Sequence, residues 1–408
     1  MLERQSRGEF LVLMAAASAT IAIAIDAMLP AFADVREHFG LSATSSDVAL
    51  IITLFMAGLG VGQFVYGPLA DRFGRKPVFM AGLVLYVVAG FATAFAPSLN
   101  ALLVGRFLWG LGAAGPRVVS QAMLRDRYKG DGLARAMAII LTVFLVVPTL
   151  APGLGQALLQ LGSWRYAFAV GPVFGTFVAL WSTRVSESLD ESMRSALDVR
   201  SIRRSVDEVL RTPSALGNTI ALMMLTAAFL PYLASSERMY GEVYDRGSQF
   251  FIWFAVTSVV MAGFTLATTR IVPRVGTRRT AMSALALLVA VSIVNLTVTL
   301  AAEGTPGFPF FFLATTLIVS LNTALTPLLT SRALNDVGHI AGTAASTIGG
   351  IGFIGASLLS PLVDRAIETT ITPFAVGYVA FSVVAAASAL LADRRLGAAE
   401  ATAVPASN

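Results

Sequence analysis

The chain has 408 residues, of which 56% are hydrophobic and only 13% are charged. Soluble globular domains carry about 25% charged residues, so this composition excludes an ordinary soluble protein. The absence of cysteine excludes a disulfide framework and thiolate metal sites. The formal net charge of +5 requires no nucleic-acid partner, because the placement of Lys and Arg along the chain matches a pattern of membrane orientation.

Apolar runs of about 20 residues recur from end to end, and a helix of that length crosses the ~30 Å hydrocarbon core of a bilayer. Backbone amides find no partners in lipid, so these runs predict helices rather than strands. The predicted spans are 10–32, 47–68, 77–96, 99–122, 136–160 and 165–184, followed by 214–235, 249–271, 279–300, 308–330, 341–362 and 371–391. The sequence therefore predicts an all-α integral membrane protein with twelve transmembrane helices.

The first span shares some features with a cleaved signal peptide. Arg4 and Arg7 precede it, and the small-residue sequence AFA occupies 31–33. We expect the span to be retained, because residues 10–32 are long enough to cross the membrane and contain Asp26.

Lys and Arg are distributed unevenly among the predicted loops. With the N-terminus inside, 22 of the 29 fall in inner segments and five in outer loops, while Arg106 and Arg117 lie within the fourth span. Such an excess of cations is the positive-inside signal. Both termini are therefore predicted to be cytoplasmic, with the protein in a bacterial inner membrane.

A charged segment separates two similar halves. Residues 184–211 contain six Arg and six Asp or Glu, which predicts a partly helical cytoplasmic linker. A solvated connector is the simpler interpretation, and a regulatory docking segment is the alternative. Related turns, DRFGRK at 71–76 and PRVGTR at 273–278, follow the second helix of each half. We predict a parallel repeat of two six-helix halves, 1–184 and 214–408, joined by a linker at 185–213.

The first of these turns lies within GPLADRFGRKP at 67–77. Gly67 and Pro68 are expected to end the second helix. Gly74 permits a tight turn, and Pro77 suits the first turn of the next helix.

The charges of this turn need a second explanation. A positive-inside loop accounts for the cations but not for Asp71. An acid beside arginines at a helix end can lock neighbouring helices in one arrangement and release them in another. The cations of the loop are Arg72, Arg75 and Lys76.

Asp26 lies about two-thirds of the way along the first predicted span. A charged side chain inside the bilayer costs a few kcal/mol even on lenient scales, so such an acid is paired, hydrated or protonated. Hydration near the outer interface is the structural interpretation, and a proton or cation site is the functional one.

Arg106 lies about two turns inside the outer end of the fourth span and keeps its charge. Its side chain either extends to the outer surface or faces the interior, where its charge would bias the protonation of a nearby acid. Arg117, nearer the cytoplasmic end, is interpreted as an interfacial cation.

The fifth span contains Pro148, Pro152, Gly153 and Gly155 within eight residues. Prolines bend a helix, and glycines let another helix approach closely. A packed, kinked helix explains the pattern, and a bend that seals the two halves on one side is the functional extension. Candidate cavity residues, of types that more often pack than bind ligands, are Phe55, Met56, Trp109 and Phe144.

These motifs resemble the major facilitator superfamily over essentially the whole chain, and residues 67–77 are similar to its signature loop between helices two and three. Further stretches resemble the Bcr/CflA branch of its drug–proton antiporters, namely DAMLPAF at 26–32, RFLWGLGAAG at 106–115, LRDRY at 124–128, PTLAPGLG at 148–155, GSWRYAF at 162–168 and AGTAAS at 341–346.

The chain departs from the branch at four places. Trp109 stands where Gln is common, Ala151 replaces a glycine, and the second-half loop has Pro273 where the first half has Asp71. The predicted outer stretch YLASSERMYGEVYDRG at 232–247 is more charged than the resemblance leads us to expect.

The resemblance implies a proton-coupled antiporter that exports small, amphipathic drugs by alternating access. It implies proton coupling through Asp26 and Arg106 and a conformational switch in the loop at 67–76. The expected partners are a small-molecule substrate, protons and the lipid bilayer, with no nucleic acid, and the expected form is a monomer.

The sequence leaves two alternative functions. The nearer one is a proton-coupled exporter or symporter of one metabolite, such as an amino acid, a sugar acid or a siderophore. The other is an intramembrane enzyme, which the sequence disfavours. The chain has two histidines, His38 and His339, both near predicted loops, and it contains neither HExxH nor GxSxG. No enzyme activity, metal or cofactor is expected.

Overall fold

The computed structural model describes residues 6–42, 45–194 and 199–403, and every regular element within these ranges is helical. The first half contains α1 (Arg7–Asp26), α2 (Phe32–His38), α3 (Leu50–Phe73), α4 (Arg75–Ala94), α5 (Leu99–Arg127), α6 (Gly130–Leu159) and α7 (Trp164–Ser182). The remaining helices are α8 (Val199–Arg211), α9 (Pro213–Arg238), α10 (Phe250–Val275), α11 (Thr277–Ala301), α12 (Phe308–Asn335), α13 (Ala341–Asp364) and α14 (Thr372–Ala403).

Eleven of the twelve predicted spans each match one long helix, and the first, 10–32, covers α1 and the 3₁₀ turn that follows it. In the described part of the chain, nine spans are long and apolar enough to cross a membrane by length and composition. The other three are α5, α6 and α7, and α5 contains four arginines, two of them, Arg106 and Arg117, within its predicted span. The prediction of an all-α membrane protein with twelve spans is confirmed.

The second helix does not end where the sequence predicts. Gly67 and Pro68 lie inside α3, which continues to Phe73. A proline removes one backbone donor and bends a helix, but tightly packed neighbours allow the helix to continue past it. The turn is made by Gly74, whose φ of 98° is accessible mainly to glycine.

The two related turn sequences share one backbone geometry. Gly276 precedes α11 with φ 89° and ψ 149°, and Gly74 precedes α4 with φ 98° and ψ 155°. A left-handed glycine therefore ends the second long helix of each half at the corresponding position.

By packing, the chain forms two compact units. The first contains Met1–Asp198 together with Leu233–Val259, and the second contains Val199–Tyr232 and Val260–Asn408. Within the first unit, α5 packs along α3 and α4, while α1 packs on α6 and α7. Within the second, α11 packs on α12 and α14. The boundaries expected for the two halves and the linker stay a prediction.

The described helix within the predicted linker is packed rather than fully solvated. Its helix α8 buries Ser205 and Val209 and packs on α13, where the Ser205 and Thr347 hydroxyls are 3.2 Å apart. At the end of the same helix, Glu208 lies 2.6 Å from the His339 imidazole.

Candidate functional site

Asp26 is the last residue of α1 and is only 5% exposed. The α-helix stops there, and a short 3₁₀ turn at Leu29–Ala31 leads into α2. Among the described residues, no hydrogen bond or ion pair to the Asp26 carboxylate is found. Simple hydration at the outer interface does not fit this burial. The side chain is therefore a buried acid inside a membrane span, and the described part of the chain provides it with no counter-charge.

The backbone next to Asp26 is in direct contact with α6. A Cβ atom placed on Gly155 would lie 1.8 Å from the Ala27 carbonyl oxygen, so only glycine allows this approach. The nearest atom to a Cβ on Gly153 is a Phe251 ring carbon at 3.9 Å, which is ordinary contact. The two glycines of the fifth-helix motif therefore have different roles, and the close approach predicted from sequence is confirmed for Gly155.

The prolines of this motif do not break the helix. Pro148 and Pro152 both lie inside α6, which runs without interruption from Gly130 to Leu159. Pro152 is buried and Pro148 is half-buried.

Substitution of Gly153 and Gly155 tests whether the close contact, rather than the presence of a glycine in the motif, determines the effect. Gly155→Ala forces α1 and α6 apart, and overpacking of this kind costs about 1–3 kcal/mol. We expect a lower thermal unfolding temperature of the purified protein and loss of most transport at matched membrane abundance. Gly153→Ala is the matched control and is expected to behave like the parent protein. Equal effects of the two substitutions would contradict the contact-based explanation.

Arg106 is fully buried in α5. Its Nε donates a hydrogen bond to the Ile51 carbonyl at 2.9 Å, and its Nη1 donates to the Ala24 carbonyl at 3.1 Å. The guanidinium carbon also lies 4.3 Å from the centre of the Phe55 ring and 4.8 Å from that of Trp109. Extension to the outer surface is excluded, and the side chain instead joins α1, α3 and α5.

The structure does not place Arg106 in an ion pair with Asp26. Within the described ranges, the hydrogen bonds found for the guanidinium go to backbone carbonyls. One of these carbonyls, that of Ala24, lies two residues before Asp26 on α1. Arg106 therefore acts on Asp26 indirectly, by binding the backbone of the helix turn on which Asp26 lies. Arg117, lower on the same helix, is half-buried, and its interfacial role stays a prediction.

The predicted cavity residues are mostly packed inside the first unit. Phe55, Met56 and Trp109 are buried. Trp109 stands edge-on to Phe55 at 6.1 Å and to Tyr86 at 5.6 Å between ring centres. The side chain of Phe144 lies outside the described residues. A substrate-binding role for these four residues stays a prediction.

Tyr86 is a member of this cluster that the sequence did not indicate. It is fully buried on α4, and its hydroxyl donates to the Thr20 carbonyl of α1 at 2.8 Å. An aromatic residue in an apolar run has no distinctive pattern, so only the fold reveals this contact.

The charges of the signature loop form a network around Arg75. Arg75 makes an ion pair with Asp71, four residues earlier near the end of α3, and a second with Asp126 of α5, at 3.3 Å. The Ser188 hydroxyl donates to Asp126 at 2.9 Å. Lys76 Nζ donates to the Thr183 carbonyl at 3.0 Å, and Arg72 is exposed over the ring of Phe73 at 5.3 Å.

Glu187, which follows the sixth span, completes this network. Its carboxylate accepts hydrogen bonds from the backbone amides of Arg75 at 2.9 Å and Lys76 at 3.1 Å. These amides open α4, where unpaired N–H groups and the helix dipole favour an anion. A Cβ on Gly74 would lie 2.5 Å from the Glu187 carboxylate, so the glycine also provides room. The acidic residues after the sixth span were the only signal for this contact in the sequence.

A second network occupies the corresponding place in the other unit. Asp393 of α14 accepts a hydrogen bond from Arg278 of α11 at 2.8 Å and makes an ion pair with Arg332 of α12. Arg332 Nε also donates to the Asn218 side chain at 3.2 Å. In each half, an acid just beyond the sixth predicted span therefore contacts the start of the third long helix. Each network also includes a charged residue near the end of the fourth long helix.

Comparison with known proteins settles the family. The sequence profile described as Major Facilitator Superfamily matches residues 12–358. The chain belongs to the major facilitator superfamily. It is accordingly a multi-pass membrane transporter of small molecules and not an enzyme.

Bacterial relatives within the superfamily carry transporter and resistance names. The chain is 27% identical to "Uncharacterized MFS-type transporter YdgK" of Bacillus subtilis, over 86% of each chain. It is 26% identical to "Bicyclomycin resistance protein homolog" of Haemophilus influenzae, over 91% of this chain and 93% of the relative. "Multidrug resistance protein MdtL" of Citrobacter koseri is 27% identical over 56% of this chain and 57% of its own length. The resemblance to the drug–proton antiporters is thereby confirmed.

Solved structures share the fold at low identity. The human organic anion transporter MFSD10 matches with a TM-score of 0.72 and 17% identity, over 95% of this chain and all of the other. A D-xylose–proton symporter matches with a TM-score of 0.74 and 13% identity, over 94% and 97% of the two chains.

The acid and the last cation of the superfamily's signature loop can be compared by mutation. Asp71→Asn removes the ion pair with Arg75, whereas Lys76→Gln removes one hydrogen bond to the Thr183 carbonyl. We expect Asp71→Asn to slow transport several-fold and Lys76→Gln to have the smaller effect. The measurement is the transport rate at equal membrane abundance. A slower Lys76→Gln protein would show that the cation at the loop's end matters more than its acid.

Proposed function

We propose that this transporter exports small, amphipathic drugs or xenobiotics from the cytoplasm in exchange for protons, across a bacterial inner membrane. The observation that carries the proposal is Asp26, a buried acid in the first membrane span for which the described residues provide no counter-charge. The relatives named for bicyclomycin and multidrug resistance support a drug as the exported class. We further propose that the protein acts as a monomer with both termini in the cytoplasm.

Proton exchange at Asp26 would supply the driving step. A charged carboxylate is costly in hydrocarbon, and one proton removes that cost. In the proposed cycle, Asp26 takes up a proton when it is open to the outside, which favours substrate release. It loses the proton toward the cytoplasm, which restores substrate binding. A membrane potential of 100 mV adds ~2.3 kcal/mol for each charge moved.

Arg106 takes part as a positioning residue in this proposal. Its guanidinium holds the Ala24 carbonyl and so fixes the turn of α1 that ends at Asp26. The contact between Gly155 and the Ala27 carbonyl holds the other side of the same acid. A change in the position of α6 would therefore be transmitted directly to the backbone around the proton site.

Alternating access moves one half of a transporter against the other, and ion pairs that break and re-form are one device for switching between two such states. The networks centred on Arg75 and Asp393 fit this role, because each joins several helices through charged side chains near the predicted cytoplasmic ends. We assign the switch role to the first of them, at Gly67, Asp71, Arg72, Gly74, Arg75 and Lys76.

Growth inhibition tests the function directly. A panel of antibiotics, dyes and detergents is applied to an efflux-deficient bacterial host that carries either this protein or its Asp26→Asn variant. We expect the parent protein alone to raise resistance to several amphipathic compounds. An ionophore that dissipates the proton gradient should then raise their accumulation in the cells. No change in resistance to any compound, together with gradient-dependent movement of a labelled metabolite, would replace drug export by transport of that metabolite.

A further inference from the structure

From Leu233 onward, the unusually charged outer stretch at 232–247 is a folded part of the first unit. The seventh span, α9, ends at Arg238 and continues as a π-helical turn at Met239–Val243. Residues 233–259 pack with the chain up to residue 198 rather than with the rest of the second half. π-Helical turns are rare and frequently lie at functional sites.

A buried ion pair lies at the centre of this packing. Arg36 Nη2 lies 2.7 Å from Glu237 Oε2, and the two side chains are only 3% and 12% exposed. Exposed ion pairs contribute little to stability, but loss of one partner from a buried pair leaves an uncompensated charge. The pair joins α2, at the end of the first span, to the end of the seventh span, 201 residues away.

We propose that Glu237 is a proton-binding site and that its protonation opens this ion pair, which acts as a latch between the ends of the first and seventh spans. A proton that arrives from the outer side neutralises the carboxylate, whereas Arg36 keeps its charge. The attraction that holds the two ends is then lost, and the ends separate. Loss of the proton re-forms the pair. Only the place of this step in the export cycle rests on the proposed function.

Other charged groups lie near Glu237, and a test must distinguish their effects from that of Glu237 itself. Arg36 acts on it from α2, and Arg238 and Glu242 act on it from its own segment. The histidine of α2, His38, has its Nε2 atom 3.2 Å from Nη2 of Arg165. Glu242 and His38 are therefore the control positions, because each lies within five residues of one partner in the chain without forming the ion pair.

The absence of native cysteine allows a clean measurement. Ser236 is fully buried and precedes Glu237 in the chain, so Ser236→Cys introduces a single buried thiol next to the ion pair's acid. A membrane-impermeant maleimide is added to proteoliposomes at acidic and alkaline external pH. Because maleimide reacts with the thiolate, each rate is divided by that of the same protein unfolded in denaturant at the same pH. Ser235→Cys, also buried, serves as a second reporter if the first variant does not insert.

The expected result is normalised labelling that is several-fold faster at acidic than at alkaline pH. Glu237→Gln in the reporter background should label fast at both values, and the charge exchange Arg36→Glu with Glu237→Arg should restore slow labelling. The Glu242→Gln and His38→Gln controls should keep the pH response. A pH response that survives Glu237→Gln, or that disappears in either control, would overturn the proposal. No exported compound is needed, so failure of drug export and failure of the latch give separate results.

Discussion

Asp26→Asn is expected to abolish proton-driven export while leaving the protein folded in the membrane. The acid is 5% exposed and has no ion pair among the described residues, so its charge contributes nothing evident to the packing of α1. Asn has nearly the same shape and cannot carry a proton at this position. The expected loss therefore concerns coupling rather than folding.

Two measurements follow the effect of Asp26→Asn. Export is measured in cells at matched abundance, and proton release is measured when substrate is added to purified protein. Asp34→Asn is the matched control, because Asp34 is an exposed acid in the same span. We expect Asp34→Asn to keep both activities. Unchanged proton release and unchanged export in Asp26→Asn would remove Asp26 from the mechanism.

The helices were predictable because lipid imposes a simple rule. A long apolar run can satisfy its backbone amides only as a helix, so length and composition locate the spans. The turn geometry at Gly74 was predictable for a similar reason, since few other residues adopt a φ of 98°. The end of α3 was not, because Pro68 can lie inside a helix whose neighbours pack tightly against it.

The long-range contacts of polar groups could not be predicted from the sequence. Glu187 caps a helix that begins 112 residues earlier, and no local pattern fixes that distance. Arg36 and Glu237 each look like ordinary loop-end charges until the fold brings them together. The position of Arg106 in the fourth span was evident, but the choice between the surface and the interior depended on carbonyls of α1 and α3.

Arg106→Gln is expected to lower the thermal unfolding temperature and to remove export at every pH. Hydrogen bonds that involve a charged group contribute about 1.5–3 kcal/mol each, and this guanidinium makes two of them to different helices. The shorter Gln side chain cannot reach both the Ile51 and Ala24 carbonyls. The loss should therefore reach the helix turn that carries Asp26.

Arg106→Lys tests the geometry of the guanidinium against its charge. Lysine keeps the charge but offers a compact ammonium in place of a planar fork of donors. It should retain only part of the stability and part of the export. Arg365→Gln is the control, because Arg365 is an exposed cation that belongs to none of the sites described above.

The pH profile of the Gln variant then separates positioning from direct electrostatics. A cation that acts on a nearby acid favours its ionised form, so removal of that cation would be offset at alkaline pH and export would partly return. A cation that holds two backbone carbonyls leaves a structural defect that pH does not repair. Because the guanidinium binds carbonyls, we expect no recovery at alkaline pH in Arg106→Gln. A normal unfolding temperature together with near-normal export at every pH would show that neither role is needed, and would leave Asp26 to act without Arg106.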